Sequence, residues 1–178
     1  MSKSGEALSK ALVVAPNAAL SVFRTIMDVA IDGAGPLPGA RKAAGATLNR
    51  KGEVEAAIDA LVRSHIGMAG TQGFLANLGG WVTIPVALPA NMGALATLQA
   101  RMVAAISHLR GYDVDDPRVR TAIFTCLLTQ DSVDELIRNE KIPSTPMAMA
   151  TAPVSDPELE KTVATHVVET LGSLATGK

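Results

Sequence analysis

Apolar residues recur at three- and four-residue intervals over most of this chain, and that periodicity predicts helix after helix. Leu20, Phe23, Met27 and Ala30 mark one helical face within 6–32, interrupted near Pro16 and ended by Gly33-Ala34-Gly35-Pro36. A short Ala-rich helix is predicted over 38–49. After Gly52, Val54, Ile58, Leu61 and His65 share a face, and Glu53, Glu55, Asp59 and Arg63 are spread over the rest.

The pattern then changes. From Ser64 to Ala100 there is no Asp, Glu, Lys or Arg, although 19% of the chain is charged. Gly67, Gly70 and Gly73 fall three apart, Gly79-Gly80 follows, and Pro85 and Pro89 lead into a helix predicted over 86–110. That helix carries two stripes. Leu88, Met92, Leu95, Gln99, Met102, Ile106 and Leu109 are large, while Ala90, Gly93, Thr97, Ala100, Ala104, Ser107 and Gly111 are small. A ridge of small side chains lets another helix approach closely, as in membrane proteins and tight soluble bundles. Gln99 interrupts the large stripe. A buried amide without partners costs about 1 to 3 kcal/mol, so Gln99 is expected either to fix helix register by a hydrogen bond or to anchor a ligand in an apolar pocket.

Gly111 stops the helix, and Asp115-Asp116-Pro117 restarts one with an acidic cap and Pro in the first turn. The run 122–128 is apolar enough to be enclosed on most sides. Ser132 to Glu135 fits a capping box for a short helix ending near Lys141. Pro143, Pro146 and Pro153 predict an extended linker over 142–154. A last amphipathic helix starts at Ser155-Asp156-Pro157-Glu158, with Leu159, Val163, Val167, Leu171 and Leu174 on its apolar face. The predicted organisation is therefore a helical domain over 1–141, a Pro-rich tether over 142–154, and a C-terminal helix over 155–178.

Composition narrows the class. Aromatic residues are only 3% of the chain, so the fold expected is all-α, built on close contacts between small side chains rather than on a sheet. The net charge of −1 argues against a nucleic-acid partner, because phosphate backbones select strongly basic faces. A single cysteine, Cys126, excludes an intrachain disulfide and suits a reducing cytoplasm. It reads as a small buried hydrophobe rather than a nucleophile. Pro16 and Asn17 interrupt the apolar run Ala11 to Ala15 before it reaches the length of a secretion signal.

Catalytic chemistry has no visible vehicle. His65, His108 and His166 do not fall at metal-ligand spacing, and His65 at the end of an apolar stripe reads as a core or capping residue. Asp113, Asp115 and Asp116 lack the Gly and distal Glu of a calcium loop and read as helix caps. The expectation is a non-enzymatic protein without cofactor or metal. Trp81, the only tryptophan, suits either a core plug or an anchor at the level of lipid headgroups.

Length bears on the membrane question. The uncharged part of the central helix from Val86 to Ala100 rises about 22 Å, against a hydrocarbon core of about 30 Å, so it is too short to span alone. Re-entrant insertion, shallow interfacial insertion and burial inside protein all remain open.

Gly73-Phe74-Leu75, Gly79-Gly80, Thr83-x-Pro85, Pro89, Gln99-Ala100-Arg101, Ala105-Ile106 and Gly111-Tyr112-Asp113, with Pro117 and Arg120, together resemble the EcsC protein family over roughly residues 55–130. The resemblance implies an α-helical bacterial protein, in a family named after a member encoded beside an ABC transporter, with membrane association and no defined biochemical activity. A similar Gly/Pro-rich segment accompanies certain Era-like GTPases, which again implies a membrane-linked accessory role. It marks Gly79, Gly80, Arg101, Gly111, Tyr112 and Asp113 as structural motif positions. Phe74, Trp81, Pro85, Pro89 and Gln99 are the candidates for membrane or ligand contact. Longer relatives carry a second Gly-rich apolar hairpin where this chain has Pro143 to Pro153 and a charged helix, a departure that favours a peripheral form. The expected partner is a membrane surface or membrane protein at the inner face of the cell membrane, with self-association as a further expectation. The alternative is a helical module holding a lipid or another apolar molecule.

Overall fold

The computed structural model describes residues 16–69 and 90–175. Eight α-helices occur among the described residues: α1 Pro16–Asp32, α2 Ala40–Lys51, α3 Val54–Ala69, α4 Ala90–Leu109, α5 Pro117–Thr125, α6 Gln130–Arg138, α7 Pro146–Ala150 and α8 Pro157–Ala175. Between α1 and α2 lies a two-residue antiparallel ladder, β1 Gly33–Ala34 with β2 Leu37–Pro38, pairing Gly33 with Pro38 and Ala34 with Leu37. The fold is all-α in class. The ladder is a corner rather than a sheet.

That corner is tight. A Cβ on Gly39 would lie 2.1 Å from the carbonyl oxygen of Ile31, so only glycine lets the start of α2 close against the end of α1. At the other end of the central helix, Gly111 takes φ 86. The amide of Gly111 donates to His108 O and that of Tyr112 donates to Ser107 O, which is a Schellman C-cap.

Helix α4 is the hub, packing against α1, α2, α3, α5 and α8. Its buried face is the small stripe: Gly93, Thr97, Ala100 and Ala104 are buried, and Ala94, Ala96, Leu98 and Ala105 widen that face. The large stripe lies on the flank, with Leu95, Met102 and Ile106 only partly buried. Packing density explains the choice, since a helix with five neighbours must present small side chains to most of them. Thr97 pays no penalty for burial because its hydroxyl donates to Gly93 O at 2.8 Å.

The predicted tether is a packed segment instead. Thr145 caps α7 through the amide of Ala148, Pro146 occupies its first turn, and Ile142 and Met149 are 2% and 3% exposed. Proline at the first helical position pre-sets the backbone rather than breaking it. Helix α8 begins as predicted, with Asp156 accepting from the amides of Glu158 and Leu159. It belongs to the same core as α1 and α5: Val163, Ala164, Val167 and Val168 are fully buried. Phe23 of α1 and Phe124 of α5 meet edge to face, with centroids 4.8 Å apart, in that core.

One local expectation shifts and another holds. Helix α6 is capped by Thr129, whose hydroxyl accepts from the amide of Ser132, so the helix begins one turn before the predicted Ser132 cap. Asp116 caps α5 by accepting from the amide of Arg118, with Pro117 in the first turn as expected.

Candidate functional site

The uncharged stretch begins on α3 and ends on α4, and the structure ties its two ends together. Helices α3 and α4 run antiparallel, because Glu55 pairs with Arg110 while His65 meets Arg101. Arg101 Nη1 donates to His65 Nε2 at 2.7 Å, and Arg101 Nε donates to Pro38 O at 2.6 Å. His65 Nδ1 lies 2.8 Å from Leu61 O, one turn back on α3. One guanidinium thus joins the β corner, α3 and α4. His65 and Arg101 are each only 4% exposed.

The partners fix the histidine tautomer. A carbonyl oxygen only accepts, so Nδ1 carries the hydrogen, and Nε2 presents its lone pair to Arg101. Burial pushes the His65 pKa below its ordinary value of 6.5; the hydrogen bond to the Leu61 carbonyl pulls it part of the way back, and the Arg101 charge adds a smaller downward push. Arg101 is also held below its ordinary pKa by burial, yet arginine stays cationic at neutral pH. None of the ion pairs among the described residues includes Arg101. The result is a desolvated cation held by two neutral acceptors.

Sequence reasoning placed His65 correctly in the core but did not find its partner. Arg101 stood out only as the first charge after the gap and as part of the Gln99-Ala100-Arg101 motif. Gln99 requires a correction. It is exposed, on the flank of α4 between Leu95 and Met102, rather than buried in the apolar stripe. Phe74, Gly79, Gly80, Trp81, Pro85 and Pro89 lie outside the described residues. Asp113 accepts from the amide of Asp115 as a local turn brace, and Tyr112 is partly buried against the core.

Cys126 also differs from expectation, because it is exposed as a residue. It borders an apolar groove of about 150 Å³ with Val103, Tyr112, Ile123 and Met147. Atoms packed around the sulfur push its thiol pKa up by desolvation. A second, more open depression of about 400 Å³ lies beside Asp113, Asp116 and Arg118. Its acids are engaged with neighbours: Asp116 with Arg118, and Asp115 with Arg41. Among the described residues no group of His, Cys, Asp and Glu is arranged to hold a metal ion, and no helix is long and apolar enough to cross a membrane.

No family model matches the chain, and neither a curated protein nor a solved structure matches it.

Proposed function

We propose that this chain is a non-enzymatic accessory protein of the EcsC kind, which attaches peripherally to a membrane, or to membrane machinery such as a transporter, through the uncharged segment 70–89. One observation carries the reading: the charge-free stretch is clamped at both ends by the His65–Arg101 contact at 2.7 Å. The charge-free stretch 64–100 therefore begins on α3 and ends on α4 at neighbouring points of a charge-bearing helical domain. A run of such composition needs an apolar environment, and an interfacial membrane site provides one. The likeness to the EcsC motif order points the same way.

The test is flotation of the purified full-length chain with anionic vesicles, comparing the wild type with Val82→Asp and Val86→Asp. Charge placed in the segment is expected to abolish co-flotation, at a cost of about 2 to 3 kcal/mol for each residue that must enter the apolar layer. Equal flotation of all three proteins would remove the segment from the interaction.

The groove beside Cys126 favours the second reading, an apolar-ligand module. Its volume of about 150 Å³ is below the roughly 300 Å³ of ordinary ligand sites, which confines that reading to a small ligand or a single chain end. Native mass spectrometry of protein purified without detergent is its test, with retained mass expected only under this reading.

A further inference from the structure

The net charge of −1 conceals a division along the chain. Helix α2 carries Arg41, Lys42, Arg50 and Lys51 and no acid, whereas residues 113–160 hold ten acids against four bases. The near-neutral total is thus the sum of a basic helix and an acidic region.

Most cations outside α2 are engaged by carboxylates: Arg24 by Glu160, Arg110 by Glu55, Arg118 by Asp116 and Arg120 by Asp28. On α2, Arg41 is engaged by Asp32 and Asp115. Lys42, Arg50 and Lys51 are exposed and enter no ion pair among the described residues, and Arg63 on the neighbouring α3 is in the same condition. Helix physics accounts for Arg50 and Lys51, because cations in a last turn complement the helix dipole. It does not account for Lys42. With Gly39 as the cap, Lys42 takes the third helical position, where the positive end of the dipole favours a carboxylate.

The placement of α2 gives these charges a direction. Pro38 O accepts from Arg101, and Lys42 lies one turn further along the chain. The basic helix therefore starts beside the joint at which the charge-free stretch begins on α3 and ends on α4. From Lys42 to Lys51 it rises about 14 Å, and Lys42, Ala46, Asn49 and Arg50 share its exposed face.

We propose that the exposed face of α2, from Lys42 to Lys51, is a contact for anionic lipid headgroups and makes the membrane attachment selective for anionic over zwitterionic lipid. The inference rests on the attachment proposed above and names the lipid class it takes. Charge complementarity favours a membrane over a nucleic acid. A bilayer surface meets one side of the protein and attracts each nearby Lys or Arg, while the acidic region stays in solvent. A duplex long enough to bind well demands a broad basic face, which the acids of 113–160 deny it.

The experiment is co-sedimentation of the full chain with two kinds of vesicle, phosphatidylcholine alone and phosphatidylcholine mixed with phosphatidylglycerol. Wild type is expected to partition at least about tenfold more strongly to the anionic vesicles at about 0.1 M salt, and to lose that preference at about 1 M, where the Debye length falls to about 3 Å. Lys42→Gln with Arg50→Gln should weaken anionic partition about 25-fold, about fivefold for each cation, and leave zwitterionic partition unchanged. Lys42→Arg with Arg50→Lys keeps both charges and should retain the wild-type preference. The control is Arg138→Gln with Lys141→Gln, which removes two exposed cations from the acidic region and should change neither partition. Equal urea midpoints establish that the variants are folded. Equal partition of wild type to both vesicles, or equal losses in the α2 and control variants, overturns the proposal and leaves membrane attachment standing. Partition to neither vesicle removes the attachment itself, and the proposal with it. Binding of a DNA duplex at the same salt, lost with Lys42→Gln and Arg50→Gln while vesicle partition is kept, assigns the face to nucleic acid and overturns the proposal.

Discussion

Acidification should loosen the joint between α3 and α4 through one residue. In the folded chain the His65 pKa is depressed below 6.5 by burial and by Arg101, while in the unfolded chain it sits near that ordinary value. The unfolded state therefore binds the extra proton first as pH falls. The stability contributed by neutral His65 is complete above about pH 6.5 and declines below it, until the depressed folded pKa is passed. One proton of difference corresponds to a slope of about 1.4 kcal/mol per pH unit within that window. Structurally, the added proton on Nε2 faces the Arg101 guanidinium in place of a lone pair, with no acceptor for it among the described residues. Urea denaturation between pH 8 and pH 5, in chloride buffers without phosphate, measures this. Wild type should lose midpoint progressively below about pH 6.5, beyond what His65→Gln loses from its other titrating groups. Identical pH profiles in the two proteins would show that His65 is not held neutral by its surroundings.

Three further outcomes follow from the packing. Removing residues 143–178 takes away Met149, Val163, Val167, Val168 and Leu171, all buried. At about 1.5 to 3 kcal/mol each, their loss matches the whole stability of an ordinary domain. The truncated chain should show no cooperative thermal transition by circular dichroism, and a retained transition would detach α8 from the core. Ala104→Leu enlarges a fully buried position on the hub helix and should cost about 1 to 3 kcal/mol in urea unfolding; an unchanged midpoint would place that face elsewhere. Glu140 takes φ 55 in the C-cap of α6, where the amide of Lys141 donates to Leu136 O. Glu140→Gly should therefore raise stability by about 0.5 to 1 kcal/mol, and a loss in the same assay would contradict the strain assignment.

Much of the fold was legible because its signals are local. Capping by Asp116 and Asp156, the stop at Gly111 and the face from Leu159 to Leu171 each depend on residues within a few positions of one another. The stripes of α4 were legible as stripes, but their orientation was not. Alternating size does not say which ridge faces in until the number of neighbours is known, and with α1, α2, α3, α5 and α8 around it the small ridge wins. Gln99 was misread for that reason. The tether was misread because three prolines look like a break, although Pro146 starts a helix and Ile142 and Met149 bury on the core. The His65–Arg101 joint spans 36 positions, and no periodicity reaches that far. Its only trace in the sequence is that a cation closes the uncharged run.

The central claim is that this run meets a membrane, and Trp81 is a natural reporter because it lies within the run and is the only tryptophan. Its emission should be recorded with vesicles containing phosphatidylglycerol, and again with brominated lipids of the same headgroup composition. The account predicts a vesicle-dependent emission shift and quenching by the brominated chains. Emission unchanged by vesicles and unquenched by bromine at every lipid ratio, with no binding by light scattering, would contradict it.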